Sequence, residues 1–384
     1  MSAQIHFVDS QLSLVHIPLE QYHRYLQSIL KLLFPSPIDY NETGDPDEHE
    51  WTSWANRHPF LNVSITPIEC SIVCSKQLAQ QYLAPTLKAL FEKTNKGYDQ
   101  ASVSDDDFVV ISVEGEGLEA GQRVLELTSP LALAGISIFF ITTYFSDYIL
   151  VPSKSRSHVV RALEDRGFTF QKSSDVYVNP LAHHHRSKSS TSSIASPLSP
   201  FSPPTTLSDL QNRTFNLLNK HHIHPRVDPS IRLVSCAARR DDPNSAAADE
   251  LTLQLGLTKC LIHSPKFLSL TLTQDEPASL LLERASVGNF GDALLGSKDE
   301  FLVPITLDLG ELPFEATGIV CGVAGRLCGG GGDVDDDEEG VAEEMDGNNK
   351  IEMSYLSTTR AGTVMVNEAD LERAMGLLRV NGGC

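Results

Sequence analysis

The side chains of this chain that could do chemistry by type and spacing fall in three places, and each place lacks one requirement. Asp333, Asp335 and Asp337 alternate along the chain and Glu344 stands in the twelfth place counted from Asp333, the carboxylate spacing of a calcium-binding loop. Glu338 holds the sixth place, where the sharp turn of such a loop requires glycine. The tract "GGGGDVDDDEEGVAEEMDGNN" therefore reads as a solvated acidic insertion over 329–350. "GEGLEAG", Gly115 to Gly121, follows a predicted strand and opens a predicted helix, where a phosphate-cradling turn would sit. Glu114, Glu116 and Glu119 would repel a pyrophosphate, and a hairpin follows in place of a second crossover, so a plain strand-to-helix turn is expected. His183, His184 and His185 are adjacent on a Ser/Pro tract and make a poor metal cage. With no G-x-S-x-G elbow, no H-E-x-x-H helix, no P-loop lysine and no kinase signature, the sequence predicts a non-enzymatic protein with no resident metal or cofactor.

Composition narrows the partners. The 384 residues carry 50 Asp plus Glu against 30 Lys plus Arg, a formal charge of -20, which repels phosphate backbones and anionic membranes and disfavours nucleic acid as a partner. Seven cysteines, an odd number spread widely, do not read as a disulfide framework; Cys70 and Cys74, on one face of a strand, are expected to be buried free thiols. The start "MSAQIHFVDS" has no basic segment leading into an apolar one, and a cytoplasmic location is expected. The most apolar stretch, "AGISIFFITTYFSDYILVP" (134–152), approaches the length of a membrane span. Phe145-Ser146-Asp147 divides it into two β-branched and aromatic runs, which is hairpin chemistry and not a membrane helix.

Around that hairpin the predicted elements are a strand over Asp106–Val113, a helix over Glu119–Ala134 containing Pro130, an amphipathic helix over 155–168 and a last short strand at "TFQ". This βαββαβ order is a split βαβ, ferredoxin-like unit, with helices on one sheet face and the other face left to pair. A weaker copy precedes it: the strand "LSLVHIP", the helix "LEQYHRYLQSILKLLF", the strand pair "FLNVSITPIECSIVCS" and the short helix "KQLAQQYLAP". From 173 to 208 the composition turns to Ser and Pro, a linker unable to bury enough apolar surface to order itself. Beyond it the first half repeats. "SITPIECSIVCS" (64–75) matches "LTQDEPASLLLE" (272–283). "FFITTYFSDYILVP" (139–152) matches "SYLSTTRAGTVMVN" (354–367), pairing Ile141 with Leu356, Thr143 with Thr358 and Asp147 with Gly362 at an offset of 215. Pro130-Leu131 matches Arg326-Leu327 at an offset of 196, so the acidic tract is an insertion between a helix and a strand.

The phrases "SPLALAGISIFFITTYFSDYILVP", "FEATGIVCGVAGRL", "SYLSTTRAGTVMVN" and "HIPLEQYHRYLQSILKLLF" resemble the CASTOR-type ACT-domain proteins, cytosolic amino-acid sensors related in fold to the regulatory domains of aspartate kinase. The resemblance implies an α+β fold of tandem ferredoxin-like (βαββαβ) ACT units, two per half: 1–100, 101–172, 209–298 and 299–384, with the linker 173–208 disordered. It implies an amino-acid pocket between the second and fourth units, with Ser137 and Ile138 from the second and Thr317, Gly318, Ile319, Thr358, Thr359 and Gly362 from the fourth. Backbone amides at a helix start and a strand edge can hold an α-carboxylate there. The sequence departs from the family where Gly362 replaces an aspartate and Thr359 and Ala361 replace aromatics, so arginine loses its carboxylate and its aromatic walls. The resemblance further implies a protein partner in nutrient signalling upstream of the target-of-rapamycin kinase, and free sheet edges make a homodimer plausible. Two other readings remain open: an interaction scaffold with a degenerate pocket, and a stand-alone regulatory subunit of an amino-acid biosynthetic enzyme.

Overall fold

The computed structural model of the protein describes residues 4–35, 53–91, 100–114, 120–170, 204, 206–239, 246–297, 299–313, 316–328 and 350–379. The glycine turn 115–119, the three adjacent histidines, nearly all of the Ser/Pro-rich linker and the acidic insertion 329–349 lie outside these residues. The first half contains β1 (Gln4–Pro18), α1 (Tyr22–Leu33), β2 (Phe60–Ile65), β3 (Glu69–Ser75), α2 (Ala84–Phe91), β4 (Ser102–Val103), β5 (Phe108–Glu114), α3 (Ala120–Leu133), β6 (Phe139–Thr142), β7 (Asp147–Pro152), α4 (Arg156–Glu164) and β8 (Thr169–Phe170). The second contains α5 (Leu207–Lys220), β9 (Leu233–Ala238), α6 (Ala246–Ile262), β10 (Leu268–Thr273), β11 (Ser279–Glu283), β12 (Leu294–Leu295), β13 (Leu302–Asp308), α7 (Ile319–Cys328), β14 (Met353–Ser357), β15 (Ala361–Asn367) and α8 (Leu371–Leu378).

The strands form one large, mainly antiparallel sheet in the order β11-β10-β2-β3-β1-β5-β7-β6-β14-β15-β13-β9-β12, and a further pairing of β9 with β11 closes it on itself. Within it one local order recurs: β2-β3-β1 and β6-β7-β5 in the first half, β10-β11-β9 and β14-β15-β13 in the second. This is the order in which a split βαβ unit lays its strands. β1 serves two such groups. Its second half, from Leu12, pairs with β3, whereas Gln4–Val8 pairs with β5, and the register shifts between Val8 and Leu12. β4 also pairs with β1, so Ser102 and Val103, placed by sequence at the start of the second unit, complete the sheet of the first.

The halves meet strand to strand. β2 runs antiparallel to β10, and β6 meets β14 through the pair Ile141–Leu356. These two are the residues that the internal repeat makes equivalent, and equivalent residues face each other across antiparallel strands only at a local twofold axis. Hydrogen bonds around the pair obey the same axis: Phe140 N donates to Ser357 Oγ (3.0 Å) and Tyr355 N to Thr142 Oγ1 (3.1 Å), each pair being the other shifted by 215.

Alternation along the strands divides the core into three. Val15, Ile17, Ile72 and Cys74 face α1 and α6; Val109, Ile111, Ile149 and Val364 face α3, α4, α5, α7 and α8. Leu12, Leu14, Phe108, Tyr148, Phe267, Leu356 and Met365 fill the space between the sheet layers. Helices therefore lie outside and sheet faces inside, and strands such as β2 are buried on both faces. Cys70 and Cys74 are buried free thiols, Cys74 pushed up to about 12 by burial. Two local readings are corrected. The helix after β3 does not stop at Pro85: a wide π turn over Ala79–Leu83 makes room for the proline ring, and the helix runs on to Phe91. The linker's end is helical, since Thr206 caps α5 by accepting from Asp209 N (3.1 Å). Among the described residues no helix is long and apolar enough to cross a membrane, and no group of three His, Cys, Asp or Glu side chains could hold a metal ion.

Candidate functional site

Where the two halves meet outside the β6–β14 junction, a cavity of about 730 Å³ opens. Its walls are the turn from α3 into β6, the loop after β13, the start of α7 and the β14–β15 hairpin; Ser102–Asp106 and Lys154 stand at its mouth. Each wall has a local cause. Gly135, at φ +67°, makes the turn that turns Ser137 and Ile138 into the cavity wall. Gly318, at φ +81°, starts α7, and a Cβ there would press to 2.9 Å from Leu210 of α5. α5 packs on the back of α7, Thr214 Oγ1 donating to the Gly318 carbonyl (3.2 Å). The first-turn amides of α7 have no acceptor within the helix and carry its positive dipole end.

The hairpin is held from the opposite sheet. Glu69, fully buried on β3, accepts from Thr358 Oγ1 (2.7 Å) and Arg360 N (2.5 Å), while its other oxygen meets His16 Nδ1 (2.5 Å). Thr359 N donates to Ser71 Oγ (3.3 Å). The twofold mate of this arrangement holds the other hairpin: Tyr144 N donates to Ser279 Oγ (2.8 Å), Tyr148 Oη to Glu276 (3.0 Å), and Ser146 Oγ to the same carboxylate.

Of the eight residues proposed from sequence, Ser137, Ile138, Gly318, Ile319, Thr358 and Thr359 line this cavity. Thr317 and Gly362 do not: the wall passes through Ala316 and Gly318, and the direction a side chain at 362 would take is filled by the phenol of Tyr355. Tyr355 is the residue that sequence reasoning missed. It lines the cavity although fully buried, its Oη has no hydrogen-bond partner among the described residues, and burial raises its pKa so that it stays a protonated donor. The available signal was its match to Phe140, a hydroxyl gained at an otherwise apolar strand position. Of the charged groups at the described wall, Asp105 and Asp106 are exposed at the mouth, Asp106 accepting from Lys154 Nζ (2.7 Å), and Arg360 stands half-buried on the β14–β15 turn. Cys321, also on the wall, touches Ser129 Oγ (3.5 Å), and burial pushes its thiol up, away from the reactive thiolate.

Residues 103–165 match the ACT domain family, so the chain carries an ACT domain spanning β5, α3, β6, β7 and α4. No curated protein matches the chain. Among solved structures it is similar to the aspartate kinase from Synechocystis, with 10% identity over 98% of this chain and 54% of that one and a TM-score of 0.32. It is also similar to the ligand-free regulatory subunit of aspartate kinase from Thermus thermophilus, with 14% identity over 41% of this chain and 94% of that one and a TM-score of 0.27. The chain thus spans about half the length of the Synechocystis kinase it matches.

Proposed function

We propose that the cavity is the binding site of a free amino acid and that the protein is a non-enzymatic sensor built of four ACT units, of which residues 103–165 are one. The observation that carries this reading is the convergence on one cavity of a helix start, a strand-entry turn and a hairpin contributed by both halves. ACT domains generally bind amino acids in regulatory roles. The α-carboxylate lies against the first-turn amides of α7 and the α-ammonium against carbonyls of the Thr358–Arg360 turn. The described wall carries no histidine and no nucleophile paired with a base, which supports binding over catalysis. Because the ligand touches both halves, its binding biases their relative orientation and hence a docking face for a protein partner. By the resemblance of its hairpins, that partner lies in target-of-rapamycin signalling. A scaffold role is the second reading, favoured by the loss of the aspartate at Gly362 and by the acidic insertion 329–350.

The test is a thermal-shift scan of the purified protein against the twenty amino acids, with calorimetry on any hit. A ligand at 100 times its Kd adds about 2.7 kcal/mol of stability. Ser137→Trp, which fills the cavity from its α3–β6 wall, is expected to abolish the shift while leaving the unliganded melting curve within a few degrees. No shift with any amino acid overturns the sensor reading in favour of the scaffold.

A further inference from the structure

The two halves present the same structural corner twice, and the two copies are filled differently. In the first half Arg123, near the start of α3, donates through Nε to Asp147 (2.9 Å) at the beginning of β7, and that carboxylate is almost fully buried. Phe140 stands on the neighbouring strand. The internal repeat carries these three positions to Ile319, Gly362 and Tyr355. Cation and carboxylate are both gone from the second copy, which faces the cavity through Ile319 and Tyr355. The Tyr355 hydroxyl sits against the point where the Cβ of a residue at 362 would be, so a neutral O–H stands where the first half has its carboxylate.

From this we infer that Tyr355 is a specificity-determining residue and that the cavity takes an amino acid with an uncharged polar side chain, to which the Tyr355 hydroxyl hydrogen-bonds; the inference rests on the amino-acid reading above. Two considerations carry it. A buried hydroxyl with no protein partner is costly, and a ligand atom aimed at it removes that cost. A guanidinium or ammonium in the same place would be desolvated beside Ile319, Ile138 and a phenol, on a wall that already carries the cation Arg360 and whose described carboxylates are confined to the exposed mouth at Asp105 and Asp106.

The experiment is calorimetry on the full-length parent with each of the twenty amino acids, followed by the tightest ligand together with glutamine, leucine, arginine, lysine and glutamate on Tyr355→Phe and on the double variant Tyr355→Phe/Gly362→Asp. Tyr355→Phe removes one oxygen and copies the Phe140 arrangement. It is expected to leave the unliganded protein as stable as the parent or more so, and to weaken the neutral ligand about tenfold. The double variant rebuilds the phenylalanine–aspartate corner of the first half and is expected to gain affinity for arginine or lysine. Tightest binding of the parent to an amino acid with an apolar or charged side chain overturns the assignment while leaving the amino-acid reading intact. So does an unchanged affinity in Tyr355→Phe, or a loss of unliganded stability that would reveal a structural partner for the hydroxyl. Binding of none of the twenty amino acids by the parent overturns the amino-acid reading itself, and this assignment with it.

Discussion

Single buried polar groups set how this protein responds to acid. His58, between the short turn at Trp54–Asn56 and β2, is almost fully buried, and desolvation, helped by Arg57, lowers its pKa to about 4. In the unfolded chain it titrates near the ordinary value of about 6.5. Below that value the unfolded state gains a proton that the folded state refuses, so stability falls as pH drops from about 6.5 to about 4, by up to roughly 3 kcal/mol at about 1.4 kcal/mol per unit. Asp147 acts in the opposite sense. Burial raises its carboxyl above the usual range despite Arg123, so the folded state holds its proton more tightly and this group favours folding as pH falls. His58→Gln is expected to flatten the loss of stability between pH 6.5 and 4 while changing little at pH 8, as read from urea midpoints across that range. A loss of the same steepness in the variant would show that His58 takes up its proton in the folded state.

At the scale of the element, the β14–β15 hairpin carries part of the cavity wall and is tethered to β3 of the opposite half. Glu69 alone receives Thr358 Oγ1, Arg360 N and His16. Glu69→Ala removes the carboxylate that ties Thr358, Arg360 N and His16 together and is expected to cost about 3 kcal/mol of stability and to weaken the ligand, because Thr358 and Thr359 lose their fixed place on the wall. Glu69→Gln is expected to retain part of both; denaturant curves and calorimetry on the two variants check the ranking. How legible these elements were follows from what fixes them. The hairpins β6–β7 and β14–β15 showed in the sequence because alternation and turn residues are local signals, whereas Ser137, Ile138, Thr358 and Thr359 were pointed to by the family resemblance of the phrases around them and not by the repeat or the spacing. The first half of β1 did not show, since "IHFVDSQ" acquires its strand from pairing with β5, about a hundred residues away. The continuation of the helix past Pro85 was hidden because the π turn that tolerates the proline has no sequence period of its own. Tyr355 was hidden for a third reason: a tyrosine on an apolar strand reads as core until its hydroxyl is seen to lack a partner.

At the scale of the whole molecule, strand pairs and shared cores join the two half-chains. β2 pairs with β10 over six residues, β6 meets β14, β9 closes the ring onto β11, and each of the three hydrophobic cores draws residues from before and after the linker. Placing a protease site between Lys188 and Ser196 and cutting the folded protein is expected to leave one species on size exclusion, with ligand affinity within about twofold of the uncut chain. Its melting temperature should become concentration-dependent, because unfolding now releases two chains. The half-chains expressed alone would each expose a sheet face and an unpaired edge at β2, β6, β10 or β14, and are expected to aggregate or remain unfolded. Two separate peaks after cleavage would mean that the sheet layers hold together only through the linker. A ligand bridging Ser137 and Thr358 would then have to supply the docking energy itself, and its presence should merge the two peaks into one.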